Sequence, residues 1–349
     1  MTLSQWLTER RSRYTGLLIA LTVVLLISCL VSVTFGAAPV PLEQVIGILT
    51  LKLSGVGHEP HLWTAGQETI VWLIRMPRVL LGALAGAGLA LIGCVLQAVT
   101  RNPLADPHLL GATSGATLGA VIVVMHVGEI LGMLTLPLAA FAGSLASLIL
   151  VLSLSSRNGR LDSQRLLLSG VAVSFVMMAI ANLLLFLGDH RASSSVLFWM
   201  LGGLGLARWE LLTVPWVTVL AGWILLQGLG RALNALMAGD QTAVSLGLHV
   251  RNVRLLVFLI ASLMTGVLVA LCGSIGFVGL MVPHIARRLV GSEHRRLLPV
   301  ATLLGALLMV WVDVVSRTLI APEDLPIGIS TALLGGLFFI FMMRRSERT

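Results

Sequence analysis

Apolar residues run along this chain in long blocks, broken by short clusters of charge, proline and glycine. Blocks of about 20 apolar residues are what a bilayer-crossing helix needs, because the helix satisfies its own backbone hydrogen bonds while its side chains meet lipid. The blocks predict spans over residues 15–35, 76–98, 107–126, 133–154, 163–187, 210–230, 252–272, 274–291, 297–317 and 327–343. The third and eighth are short and rich in glycine and proline. The expected fold is an all-α polytopic membrane protein with about ten transmembrane helices, built as a single domain over residues 1–349.

Composition supports the bilayer as solvent. Hydrophobic residues make up 57% of the chain and charged residues 11%, whereas a soluble domain carries roughly 25% charged residues. The net charge of +8 would point to nucleic acid in a soluble protein. Here the cations sit in short clusters between apolar runs, so they report topology and no nucleic-acid partner is expected. With the N-terminus inside, the outer segments hold only Lys52, Arg75, Arg78, Arg191, Arg208 and Arg317 of the 23 Lys and Arg residues. That bias places both termini in the cytoplasm. Trp63, Trp72, Trp199, Trp209 and Trp216 fall near the outer ends of spans, where indoles favour the interface. The three cysteines, Cys29, Cys94 and Cys272, all lie within apolar runs and suggest neither a disulfide framework nor a metal site. The first run follows Arg10, Arg11 and Arg13 and imitates a signal peptide, but its length and the many spans behind it favour a retained helix.

A faint repeat relates the two halves. Arg75-Met-Pro-Arg78 precedes Pro107-His108 by the same 32 residues that separate Arg251-Asn-Val-Arg254 from Pro283-His284. The copies lie five spans apart, so the second would be inverted in the membrane, an architecture common in transporters. The only lysine, Lys52, is followed by Leu53, so the chain has no Walker A motif. The glycines of Gly82-Ala-Leu-Ala-Gly86-Ala-Gly88 have the spacing of helix packing, not of a dinucleotide fingerprint. Glu129, Asp189, Glu210, Glu323 and Asp324 lie near predicted span ends, and only Asp313 sits well inside a span. Arg317, four residues on, shares its helix face and offers a local ion pair. A chain with neither an ion relay nor its own ATPase reads as a conduit driven by a partner. An ion-coupled secondary transporter is the alternative from another class.

Several segments carry a resemblance. They are Arg75-Met-Pro-Arg78, Leu84-Ala-Gly-Ala-Gly-Leu-Ala90, Gln97, Arg101-Asn-Pro-Leu-Ala-Asp-Pro107, Leu110-Gly111, Arg165-Leu-Leu-Leu-Ser-Gly170, and Trp199 with Gly202-Gly203. Leu233-Asn234, Ala238-Gly-Asp-Gln-Thr-Ala243 and Leu246-Gly247 continue the series. The most diagnostic pieces are Gly273-Ser-Ile-Gly-Phe-Val-Gly-Leu-Met-Val-Pro-His284 and Asp324-Leu-Pro-Ile-Gly-Ile-Ser-Thr331. In this order they resemble the permease subunit of the bacterial ABC importers for iron–siderophores, haem and vitamin B12 (type II importers). The resemblance implies a non-enzymatic permease of the inner membrane that moves an iron(III)–siderophore complex from periplasm to cytoplasm, with haem or cobalamin as alternatives. It implies a second permease copy, most simply in a homodimer, together with two cytoplasmic ATPase subunits and a periplasmic binding protein. ATP and Mg would be used by the ATPase, with no cofactor on this chain.

The resemblance also assigns residues. Arg75, Arg78 and Arg317 would receive acidic residues of the binding protein, and charge reversal at Arg78 would weaken docking while leaving expression intact. The segment 233–250, with Gly239, Asp240, Ala243, Leu246 and Gly247, would form the coupling helices seated in the ATPase. Ser163 and Gln164 would form the cytoplasmic gate, although Gln164 is bulkier than the small hydroxyl residue expected there. Ser169, Val173, Met177, Gly276 and Ser330 would line the path. Met177 and Met178, in an apolar helix, are read as core or lining and not as haem ligands.

Overall fold

The computed structural model describes residues 3–55, 62–107, 111–128, 130–157, 160–161, 163–188 and 190–346. His108, Glu129, Asp162 and Asp189 lie outside the described residues, as do the side chains of Ser163, Gln164 and Arg191.

Eight helices among the described residues are long and apolar enough to cross a membrane. They are α1 (Leu3–Ser32), α4 (Met76–Thr100), α6 (Thr135–Ser155), α7 (Ser163–Leu187), α9 (Trp209–Gly228), α12 (Val250–Cys272), α14 (His294–Thr318) and α15 (Ile327–Ser346). Two shorter ones, α5 (Ala112–Ile122) and α13 (Val278–Val290), correspond to the third and eighth predicted spans and complete the ten. The remainder are α2 (Leu42–Ser54), α3 (Ala65–Thr69), α8 (His190–Met200), α10 (Gly230–Ala238) and α11 (Asp240–Ser245). A two-residue antiparallel ladder, Ser156–Arg157 against Arg160–Leu161, joins α6 to α7.

Two predicted boundaries move, for the same physical reason. The third span was expected from residue 107, but Gly111, at φ 75°, opens α5 only at Ala112. The eighth was expected from residue 274, but residues 273–277 are not helical and Phe277 has φ 68°. The carbonyl freed at the end of α12 bonds to a second irregular stretch, residues 201–203, which in turn bonds to the start of α15. The Gly203 amide donates to the Cys272 carbonyl (2.9 Å), the Ile327 amide to Gly202 (2.9 Å), and the Gly328 amide to Leu201 (3.1 Å). Irregular backbone between apolar helices is tolerated when protein groups satisfy it in this way.

The halves interlock as an inverted repeat. Arg101 at the end of α4 and Arg254 at the start of α12 both bond Asp240, so the two helices run in opposite directions. α4 packs on α14 of the other half, and α12 packs on α6. Small residues let these backbones approach. A methyl group built on Gly86 would stand 2.0 Å from the Gly305 carbonyl oxygen, and one on Gly305 would stand 2.2 Å from that of Gly86. Gly86→Val should force α4 and α14 apart and cost about 1–3 kcal/mol by overpacking, read as a lower melting temperature in detergent. An unchanged melting temperature would show that the two helices do not meet at Gly86. At one end of the bundle Trp72 and Trp209 stack with ring centroids 4.6 Å apart.

Candidate functional site

Three groups of functional side chains are resolved: a charge cluster at each end of the bundle and a recess between them. At the first end, Asp313 on α14 is fully buried and receives two guanidiniums. Arg78 Nε on α4 donates to its Oδ1 at 2.7 Å, and Arg317 Nε, one turn further along α14, lies 2.9 Å from its Oδ2. Arg78 Nη1 also pairs with Asp324, a half-exposed residue of the loop entering α15. Arg317 reaches on to the carbonyls of Phe35 (2.9 Å) and Ser32 (3.2 Å). Arg75 donates to the carbonyls of Val33 (2.9 Å), Thr34 (3.3 Å) and Ala38 (2.6 Å). The three arginines predicted to face a binding protein are therefore gathered at one end, but they are engaged within the chain. Arg75 and Arg317 are each 5% exposed. They clamp the end of α1 against α4 and α14. Two carboxylates face three guanidiniums, so one positive charge remains uncompensated within the cluster.

At the opposite end, α10 and α11 form a bent pair on the segment predicted for coupling. Gly239, with φ 122°, makes the corner and Gly247, with φ 81°, ends the turn after α11. The Leu248 amide donates to the Ala243 carbonyl at 3.0 Å and closes that turn. Asp240 ties the corner to the bundle through Arg101 (3.1 Å) and Arg254 (2.9 Å). Asn234 on α10 accepts from the His294 amide (2.9 Å) and donates to Glu293 (3.2 Å), which caps α14. The α10–α11 segment is thus bolted to the ends of α4, α12 and α14. Ala243 is wholly buried, whereas Val244 and Leu246 project outward at 61% and 66% exposure.

Between the ends lies a recess. One cavity of about 540 Å³ is lined by Asp106, Ser274, Gly276, Phe277 and, on α15, Ile329 and Ala332. A second, of about 360 Å³, is lined by Thr113, Ser114, Val171, Ser174, Phe175, Met178 and the same Ser274. The shared Ser274 makes them neighbours, flanked by α7 and α15. Gly276, expected along the path, lines the first cavity, and Ser330 is buried beside Ile329. Ser169 is half-buried on α7. Val173 and Met177, expected along the path, pack in the hydrophobic core, while Val171, Ser174, Phe175 and Met178 of α7 line the second cavity. Ser163 and Gln164 open α7, and their side chains lie outside the described residues.

Some functional contacts escaped sequence reading. Arg101 appeared in a motif without a partner. Gln97, also in a motif, is buried and joins α4 to α13, donating to the Gly279 carbonyl (3.0 Å) and accepting from Arg287. The local signal for both was a polar side chain within or ending an otherwise apolar run.

A family model described as the FecCD transport family matches residues 24–345. The haemin transport system permease protein HmuU of Yersinia pestis is 40% identical over 293 residues, covering 82% of this chain and 87% of that protein. The cobalamin import system permease protein BtuC of Halobacterium salinarum is 39% identical over 280 residues, covering 80% and 74%. Among solved structures, an inward-facing conformation of a metal-chelate type ABC transporter superposes with a TM-score of 0.80 at 31% identity, covering 95% of this chain and 99% of that one.

Proposed function

The chain belongs to the FecCD transport family, the transmembrane permeases of ABC importers, and from that premise we propose that it translocates an iron(III)–siderophore complex from periplasm to cytoplasm. Permeases of this family are not themselves enzymes; the ATPase is a separate subunit. The observation that carries the substrate reading is the cavity of about 540 Å³ and its lining, small and apolar except for the single carboxylate of Asp106. A bare cation needs oxygen or nitrogen ligands. One carboxylate falls short of a cation's ligand set, whereas a chelate hides its metal and offers a broad organic surface that a largely apolar wall can pass without holding it. Haemin and cobalamin present surfaces of the same kind, and relatives named for both stand at about the same identity.

In this reading the protein lies in the inner membrane with its Arg78 end facing the periplasm, and its Asp240 end and both termini in the cytoplasm. Two ATPases seat on residues 233–250 and use ATP and Mg, and this chain binds no cofactor. A second copy closes the recess: α7 and α15 flank it and expose Leu168, Phe175 and Leu183, and Leu333, Leu337 and Ile340, respectively. The gate remains assigned to Ser163 and Gln164, and the path to Ser169, Gly276, Ser330 and the cavity face of α7.

Reconstitution with the cognate ATPase and binding protein tests the substrate. Proteoliposomes should accumulate labelled iron(III)–siderophore in an ATP-dependent, vanadate-sensitive manner. Uptake of haemin or cobalamin instead would replace the substrate, and uptake driven by an ion gradient without ATPase would overturn the importer mechanism.

The periplasmic cluster refines the docking reading. Arg78 already holds a carboxylate, Asp324, at its exposed edge, so an acidic residue of the binding protein has to displace it. Asp324→Asn should therefore tighten docking, on the order of tenfold for about 1.4 kcal/mol, measured by surface plasmon resonance on the reconstituted complex. Weaker or unchanged docking would remove Arg78 from the interface. Charge reversal at Arg78 is the poorer test, because it also sets a carboxylate beside buried Asp313; expression is not expected to stay intact.

A further inference from the structure

We propose that Arg13, Tyr14 and Arg296 form a seat for the headgroup of an anionic phospholipid at the Asp240 end of the bundle. A cavity of about 320 Å³ opens there between the start of α1, the end of α13 and the start of α14. Its polar wall is those three residues, and its apolar wall is Leu17, Leu289 and Val290. Tyr14, the only tyrosine in the chain, donates to the Arg296 carbonyl at 3.4 Å, and the Arg296 guanidinium carbon stands 5.7 Å from the Tyr14 ring centre. Glu293, the acid paired with Arg296, does not close that side of the site. Glu293 is 4.0 Å from Arg296 Nε and is engaged in capping α14, accepting from the amides of Arg295 (3.0 Å) and Arg296 (3.2 Å).

Chemistry and position select the ligand together. Two guanidiniums in one concave site match a phosphate better than a carboxylate, because each can offer paired N–H donors to its oxygens. The apolar wall beneath them gives glycerol and acyl groups a place that free phosphate would not use. α1 begins its apolar span at Ser12 and is the least buried of the eight long helices, so lipid runs alongside it. The cavity therefore sits at the depth of the headgroups, and acyl chains can descend over Leu289 and the exposed Ile19, Val23 and Leu26. Basic pockets between helices on the cytoplasmic side are the expected form of such sites. A lipid here would staple the start of α1 to the α13–α14 turn whose Glu293 and His294 hold α10. The inference does not depend on what is transported.

The test uses the full-length permease, purified and delipidated in mild detergent. Phosphatidylglycerol, phosphatidylcholine and inorganic phosphate are added separately, with bound lipid read by native mass spectrometry and stability by melting temperature. Phosphatidylglycerol should be retained at least fivefold more than phosphatidylcholine and should raise the melting temperature, while millimolar phosphate should not. The Arg13→Gln/Arg296→Gln variant should lose that preference. Equal retention of the two lipids by the unaltered chain, or an undiminished preference in the variant, would overturn the seat. A shift with phosphate alone as large as with phosphatidylglycerol would make it a free-anion site and overturn the lipid assignment. Should the double variant fail to fold, the preference of the unaltered chain and that of Arg13→Gln alone decide the matter.

Discussion

Replacing Asp313 by Ala is expected to destabilise the permease by about 3–5 kcal/mol, because removing one member of a buried ion cluster strands the others. Asp313 has no solvent exposure and is the carboxylate shared by Arg78 and Arg317. Without it Arg78 keeps only the half-exposed Asp324, while Arg317 keeps two backbone carbonyls and no direct ion pair. Those two side chains hold the end of α1 and the start of α4 to α14, so the loss should open that end of the bundle. The measurement is thermal unfolding in detergent, with fluorescence-detected size exclusion reporting aggregation. Replacing Asp313, Arg78 and Arg317 together by Leu and Met should recover much of the lost stability, since an apolar cluster of similar volume leaves nothing unpaired. The experiment also separates the conduit from a proton-coupled carrier. In a proton relay, Asp313→Asn would keep the melting temperature and abolish transport. Here Asp313→Asn should lower the melting temperature by several degrees first.

The bundle was legible in the sequence wherever an apolar block had polar ends. α7 runs from Ser163 to Leu187 as predicted, because Asp162 and Ser163 mark its start and Gly188 and Asp189 follow its end. It was not legible where a helix breaks without a change in hydropathy. Residues 274–277 are as apolar as the helix behind them, and the groups that meet the break, the Gly203 amide on the Cys272 carbonyl and the Gly202 backbone packed against Ser274, lie some seventy residues away. Short helices at the ends, α2 and α8, escaped because a search for blocks of twenty residues passes over them. Rotation was hidden as well. α7 is apolar around its whole circumference, so nothing in its sequence distinguishes core-facing Val173 and Met177 from cavity-facing Ser174 and Met178. The charge clusters show the same limit. The Asp313–Arg317 pair was readable from its spacing along one helix, whereas Arg78, 235 residues from Asp313, could be joined to it only by the fold.

The largest functional effect is expected at the coupling segment, where two adjacent residues separate docking from folding. Ala243 is fully buried and carries the bend between α11 and α12, so Ala243→Trp would displace the whole segment and confound the two. Val244 and Leu246 flank it but project outward, apolar and without cover, from a corner held rigid by Asp240. If the ATPase cleft receives this segment, these side chains are its central anchors. Truncating such anchors costs at least about 2 kcal/mol each, and each 1.4 kcal/mol is about tenfold in affinity. Val244→Glu with Leu246→Glu adds the cost of burying two charges. The double variant should express and melt like the unaltered permease, since both side chains are exposed. It should nevertheless lose ATPase binding by at least about a hundredfold and show no receptor-stimulated ATP hydrolysis in proteoliposomes. An ATPase that still binds with unchanged affinity would move the coupling surface away from residues 239–247. Loss of the permease itself would instead show that Val244 and Leu246 are covered by a second copy of this chain, and a fall in dimer content would reveal it. The Asp240 tie makes the intermediate case informative too. Asp240→Asn should leave ATPase binding within a few-fold but weaken stimulation, because it loosens the corner from α4 and α12 while leaving the anchors in place.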